Sequence, residues 1–153
     1  MTDAQRDQRL THLAATSSAA FLMLRMTGWA LLLPVLKHTL SIERLARLMW
    51  RDGLGPSNRH EQLRVARLSW RTARLRPLPG RDNCLERSLI AYRYLSSGGA
   101  DPRLVVAVRR LDGAVDGHVW VTTGGQPILD EDVSAFTPLF ELGPRGERLE
   151  AAS

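Results

Sequence analysis

The chain has a single cysteine, Cys84, in 153 residues. One thiol excludes an internal disulfide framework and points to a reducing compartment. Histidine is sparse as well. His12, His38, His60 and His118 are scattered along the chain without the spacing that zinc needs, so no metal and no other cofactor is expected. Aromatic residues make up only 6% of the sequence, and no basic block interleaves them as a nucleic-acid platform requires. Nucleic acid is therefore not an expected partner. Internal repeats are missing, and so is an uninterrupted apolar run. Residues 14–36 come nearest to a membrane or targeting segment. They carry Arg25 near the middle and Gly28 and Pro34 beyond it, and they lack a small-residue cleavage site. The expectation is a cytoplasmic protein with no transmembrane segment.

What the sequence does contain is an ordinary globular balance of 44% hydrophobic and 24% charged residues, enough for one domain with an N-terminal helical extension. The formal net charge of +5 comes almost wholly from arginine. Such an excess serves either as solvated helix faces or as attraction for an acidic peptide or protein partner.

The chain changes character near Arg76-Pro77-Leu78-Pro79-Gly80. Before that point the pattern is helical. Residues 21–33 are crowded with apolar side chains, which suits a buried or partner-covered helix, and Pro34 is expected near the start of a second helix or at a kink. Ser41 is an N-capping residue for a helix placing Ile42, Leu45, Leu48 and Met49 on one face. Gly53-Leu54-Gly55-Pro56-Ser57-Asn58 reads as a turn. Residues 59–74 place Leu63, Ala66 and Trp70 at helical spacing, with Arg64, Arg67, Arg71 and Arg74 largely off that face.

After the break, Asp82-Asn83 can cap a helix beginning at Cys84, with Glu86 placed as in a capping box. Ser96-Ser97-Gly98-Gly99 ends it. Leu104-Val105-Val106-Ala107-Val108 then reads as a strand and residues 111–117 as a connection. His118-Val119-Trp120-Val121-Thr122 is a second strand, and residues 126–129 a third. The tail after Pro144 is short and polar, and a mobile end is expected there.

This order builds a recognisable chemistry. The first turn of a helix stabilises a thiolate through its free backbone N–H groups, and the same groups can hold an oxyanion. Glu86 opposes the thiolate electrostatically, so Cys84 needs a histidine partner, and His118 is the candidate. The hairpin register decides the third member. A three-residue loop at Thr123-Gly124-Gly125 sets Asp130 opposite His118, where it can fix the imidazole tautomer. A two-residue turn at Gly124-Gly125 sets Glu131 there instead. Taken singly, each residue has an ordinary structural explanation. A nucleophile at a helix start, followed by a histidine and an aspartate on successive strands, is what points to a Cys-His-Asp site.

Several stretches also match a known family. Cys84-Leu85-Glu86-Arg87-Ser88-Leu89, then Leu104 to Arg109, His118-Val119-Trp120-Val121, Gly125-Gln126-Pro127-Ile128 and Asp130 resemble the transglutaminase-like peptidases of lasso peptide maturation. Those stand-alone proteins are equivalent to the C-terminal half of the fused microcin J25 maturation protein. The motifs span about residues 82–132, and the arginine- and leucine-rich helices before them also look like the family's N-terminal part. Val119 stands where alanine commonly follows the histidine.

The resemblance implies an α+β fold. Residues 77–143 would form a papain/transglutaminase-like core, with the cysteine at a helix start followed by an antiparallel sheet. Residues 1–76 would be an N-terminal helical region packed on that core and binding partner or leader, and residues 144–153 a tail. It implies a cysteine peptidase with catalytic Cys84, His118 and Asp130, cutting a precursor peptide at its leader–core junction in the bacterial cytoplasm. No winged-helix module is present. The implied partners are therefore a separate small winged-helix leader-recognition protein and an ATP-dependent lasso cyclase. Two other readings share the pattern: an amidase or acyltransferase that passes the acyl group to an amine, and a non-catalytic binding module.

Overall fold

In the computed structural model, residues 3–74, 84–129 and 132–150 are described, with side chains from residue 19 onward. Four helices come first: α1 (Asp3–Leu36), α2 (Ile42–Met49), α3 (Arg59–Arg74) and α4 (Cys84–Ser97). The strands β1 (Pro102–Leu111), β2 (Ala114–Thr123), β3 (Gln126–Pro127), β4 (Thr137–Leu142) and β5 (Arg148–Glu150) follow. They form one antiparallel sheet in the order β3-β2-β1-β4-β5. The architecture is α+β, with the N-terminal helices packed on the core.

The helices start and stop largely where their sequences dictate. Ser41 Oγ accepts the Arg44 N–H, and Asn58 Oδ1 accepts the Glu61 N–H at 2.9 Å, each satisfying an orphan donor of a helix start. Pro34 departs from expectation. It lies inside the last turn of α1 and opens no new helix. Its ring removes one bond only two residues from the helix end, while Met26, Ala30 and Leu33 hold the helix in the core. Leu45, Ala46 and Met49 form the buried face of α2, and Leu48 turns outward. On α3 the buried side chains are Ala66, Ser69, Thr72 and Ala73, small enough to let the helix approach α4 closely. Trp70 packs against neither apolar cluster.

Of these helices, α4 is the most enclosed. From Ser88 to Ser96 every side chain is buried, and α4 touches α1, α2, α3, β1 and β2. At its C-terminal end, Gly99 has a positive φ of 79° and lies against the backbone of Gly55. A Cβ there would meet the Gly55 carbonyl oxygen, so this crossing of two chain segments admits only glycine.

The sheet is longer than its sequence suggests. The expected connection over residues 111–117 is a tight Asp112-Gly113 turn, both residues at positive φ. β1 and β2 run through it from Leu111↔Ala114 to Pro102↔Thr123. His118 therefore sits in the middle of β2, not at its start. The strand β4 was not anticipated. Pro138 interrupts its pattern, and is tolerated because β5 pairs with β4 only from Phe140 to Leu142, leaving the edge open at Pro138. Residues 144–150, expected to begin a mobile tail, form a 3-10 turn (Pro144–Gly146) and β5. The buried Tyr92 hydroxyl anchors them, donating to the Gly143 carbonyl and accepting the Gly146 N–H at 3.3 Å.

Along residues 19–36, α1 is long and apolar enough to cross a membrane by length and composition, with a mean hydropathy of 1.7. It gives Met26, Ala30 and Leu33 to the core and leaves Phe21, Leu24, Leu31 and Val35 exposed.

Burial pushes the Tyr92 phenol up to about 12. An unfolded chain ionises its tyrosines near pH 10, so the stabilisation is complete below that pH and lost as pH rises towards about 12. Absorbance titration of the folded protein should show Tyr92 protonated until about pH 12. Thermal melts should fall across the same window. Ionisation of both tyrosines near pH 10 without unfolding would contradict the placement of Tyr92.

Candidate active site

Cys84 is the first residue of α4, half-buried against the main core. A helix start of this kind supplies unpaired N–H groups and the positive end of the helix dipole. The acidic residue beside it is less opposed to a thiolate than its sequence position suggests. Glu86 is almost wholly buried and meets the Lys37 ammonium, just past the end of α1, at 2.8 Å. The carboxylate charge is thus largely neutralised by a cation from another helix.

His118 is half-buried on β2, paired with Ala107 of β1. Side chains alternate along a strand. Val119 and Val121 join the large cluster with α4, whereas Trp120 belongs to a smaller cluster with Val105, Ala107, Val133 and Phe136. The imidazole lies on the Trp120 side. Its ring stacks on Phe136 at 5.0 Å and on Trp120 at 6.0 Å between centroids. The Arg109 guanidinium covers Phe136 at 4.5 Å and is itself held by Asp116 at 2.8 Å. Below Phe136, the Asp132 carboxylate accepts both the N–H and the hydroxyl of Ser134, which holds its pKa low and shapes the turn under the histidine.

One hydrogen bond sets α4 against the histidine strand. The outward carbonyls of β2 need partners where the sheet ends. Val121 O receives the Ile128 N–H at 3.0 Å, but β3 stops there, so Val119 O has no strand to meet. The Ser88 hydroxyl donates to it at 2.9 Å. Ser88 lies one helical turn after Cys84 on the same face, and Val119 follows His118 directly. This bond fastens α4, one turn beyond Cys84, to the strand residue that follows His118, while the imidazole itself lies on the other side of the sheet from the α4 cluster.

The hairpin after β2 departs from the expected register. Thr123 pairs with Gln126 and Thr122 with Pro127 across a two-residue Gly124-Gly125 turn, both glycines at positive φ. Such primed turns match the strand twist, which favours them over a three-residue loop. The pairing that set Asp130 opposite His118 therefore does not occur, and regular pairing ends well before that level. Asp130 itself lies outside the described residues, as do the capping positions Asp82 and Asn83. Three residues that position the site were not singled out from sequence for that work: Lys37, Ser88 and Phe136. Only Ser88 carried a local signal, being a polar residue one turn from the cysteine in a helix with no polar face.

The chain belongs to the transglutaminase-like superfamily, whose family model matches residues 23–141. Members of that superfamily are usually cysteine-dependent enzymes. No curated protein and no solved structure gave a significant match. The match runs through α1, α2 and α3 as well as the sheet, so the N-terminal helices are part of the superfamily domain. Among the described residues no cluster of His, Cys, Asp and Glu is arranged to hold a metal.

Ser88→Ala should leave a buried carbonyl unsatisfied and cost about 1–3 kcal/mol, seen as a lower denaturant midpoint. An unchanged midpoint would show that the bond does not hold the helix to the strand. Lys37→Met should cost about 3 kcal/mol, because it removes the ammonium paired with the buried Glu86 carboxylate. Adding Glu86→Gln to it should restore most of that loss, whereas additive losses in the double variant would show that the two residues do not act as a pair.

Proposed function

We propose that the protein is a cysteine peptidase that removes the leader from a ribosomally made lasso peptide precursor. Cys84 is the nucleophile, His118 the base and then the acid, and Asp130 the group that orients the imidazole. The observation that supports the reading is the Ser88–Val119 bond, which ties the helix beginning at Cys84 to the strand that carries His118 in a transglutaminase-like chain. The motif resemblance over residues 82–132 supplies the substrate class.

The chemistry follows from the groups available. His118 takes the proton from the Cys84 thiol, and the thiolate attacks the carbonyl carbon of the scissile peptide bond. Negative charge on the carbonyl oxygen is met by N–H groups of the first turn of α4. Collapse of this intermediate breaks the C–N bond. The departing amine takes the proton from His118, leaving the leader as a thioester on Cys84. Water, deprotonated by His118, then attacks the thioester and releases the leader as a free acid, returning the thiol. Aromatic stacking on Phe136 and Trp120 restrains the imidazole plane, which favours a ring that shuttles protons between fixed positions.

The reaction belongs to the bacterial cytoplasm, where a lone thiol stays reduced. A separate winged-helix protein delivers the leader, and the ATP-dependent cyclase closes the ring on the freed amine. The uncovered apolar side chains of α1, Phe21, Leu24, Leu31 and Val35, support a docking role for the N-terminal region.

Incubation with a short precursor and a recognition protein encoded beside this gene should give free leader acid by mass spectrometry. Cys84→Ala should abolish it, and His118→Ala should slow it by about 10²–10⁴-fold. An amide adduct in place of the acid would make the protein an acyltransferase. Cleavage unaffected by Cys84→Ala would sink the catalytic account.

A further inference from the structure

Trp70 is the one large apolar side chain of α3 that the core does not use. It stands half-buried among arginines. Arg67, Trp70, Arg71 and Arg74 follow the i, i+3, i+4, i+7 spacing of a single helix face, and with Leu129 they line a cavity of about 220 Å³. The Arg74 guanidinium lies 4.1 Å from the Trp70 ring centre, and Arg87 of α4 lies 5.7 Å from it. Arg64, one turn earlier, is paired with Glu61 at 3.2 Å. No carboxylate among the described residues pairs with Arg67, Arg71 or Arg74. Three arginines thus line one cavity with Trp70, none of them paired with a carboxylate among the described residues.

The cavity also lies close to the reacting end of the molecule. Arg87 is three residues beyond Cys84 on α4, and Leu129 is the last described residue before Asp130. A ligand here would reach the catalytic groups with only a short length of peptide. Guanidinium groups bind carboxylates through paired hydrogen bonds, and the half-buried indole gives the cavity an apolar wall for the aliphatic part of a neighbouring side chain. Both features fit a flexible acidic peptide. Nucleic acid fits less well, because a single indole gives no platform for successive bases.

We propose that the Trp70 cavity is a subsite for an acidic stretch of the substrate peptide beside the scissile bond, its carboxylates held by Arg67, Arg71 and Arg74. The identity of the acidic stretch as substrate rests on the peptidase reading, but its binding does not.

The two are separated by measuring binding without cleavage. Fluorescence anisotropy of a labelled hexaglutamate peptide on the Cys84→Ser protein should show saturable binding that weakens with added salt, and hexaglutamine should not compete. The double variant Arg67→Glu/Arg71→Glu should weaken binding by at least about tenfold. The double variant Arg44→Glu/Arg110→Glu, which removes the same charge from exposed sites elsewhere, should change it less than about threefold. Arg71→Gln, a milder change on the exposed face of α3, should fall between them. Equal losses in both double variants would reduce the effect to net charge and overturn the subsite. So would competition by hexaglutamine, or tighter binding of a hexathymidylate oligonucleotide than of hexaglutamate. Specific hexaglutamate binding by a protein that cleaves no precursor would keep the subsite and discard the peptidase.

Discussion

Burial of α4 on every side is the constraint from which the rest of the structure follows. A helix wrapped by three others and a sheet cannot send its polar side chains to water, so burial favours those that find a partner on a neighbouring element. Five do, with little redundancy; one is Ser96, which accepts the Arg51 N–H beyond α2, whereas the Tyr94 hydroxyl has no hydrogen-bond partner among the described residues. Glu86 reaches Lys37 at the end of α1, Ser88 reaches the Val119 carbonyl of β2, and Tyr92 reaches Gly143 and Gly146 between β4 and β5. Arg93 lies over Trp29 of α1 and donates to the Leu48 and Met49 carbonyls at the end of α2. Apolar burial supplies most of the driving force, but it is non-directional. These bonds are directional, and they fix how far along its axis α4 sits against each neighbour.

That placement matters most at the helix start. A thiolate there gains from the dipole and loses from any nearby anion, and Glu86 lies in the same first turn. The fold resolves the conflict by burying Glu86 towards Lys37, so that the carboxylate is spent on holding α1 to α4. The brevity of β3 matters in the same way. A longer third strand would have covered the edge of β2 as far as His118 and taken the Val119 carbonyl for itself. Because β3 ends after two residues, the Val119 carbonyl on that edge is left for Ser88 of α4.

The legible parts of the sequence were those with local punctuation. The boundaries of α2, α3 and α4 follow from Ser41, from the Gly-Pro-Ser-Asn turn and from Gly98-Gly99, and the helix start at Cys84 was visible for the same reason. What was not legible depends on long-range pairing. The outer half of the β1–β2 hairpin is solvated, so its residues lack the apolar alternation of a half-buried strand, and only Asp112-Gly113 marked the turn. β4 hides behind Pro138, whose tolerance depends on where β5 stops. The choice between a two-residue and a three-residue turn at Gly124-Gly125 turned on a single residue, and strand register flips every side chain on such a slip. Cys84 and His118 could be proposed from order and spacing. The partner of His118 could not, because its position depended on that register.

The N-terminal helical region and the core that follows it depend on each other physically, since the helices pack directly on α4. Residues 77–143 alone would keep α4 and most of the sheet, but would uncover Glu86, Arg93 and the apolar side chains that meet Met26, Leu33, Leu45 and Met49. A buried carboxylate without its lysine and a buried guanidinium without its carbonyls each disfavour the folded state by several kcal/mol, of the order of a small domain's whole stability. β5 would be missing as well, and with it the Gly146 contact to Tyr92. The superfamily match agrees with this, since it begins inside α1, well before the break at Arg76. The helices before Cys84 are therefore a structural requirement of the site. Any partner that docks on the exposed face of α1 grips an element fastened to the Cys84 helix through Lys37 and Glu86, so that docking and the cysteine are linked by one half-buried ion pair.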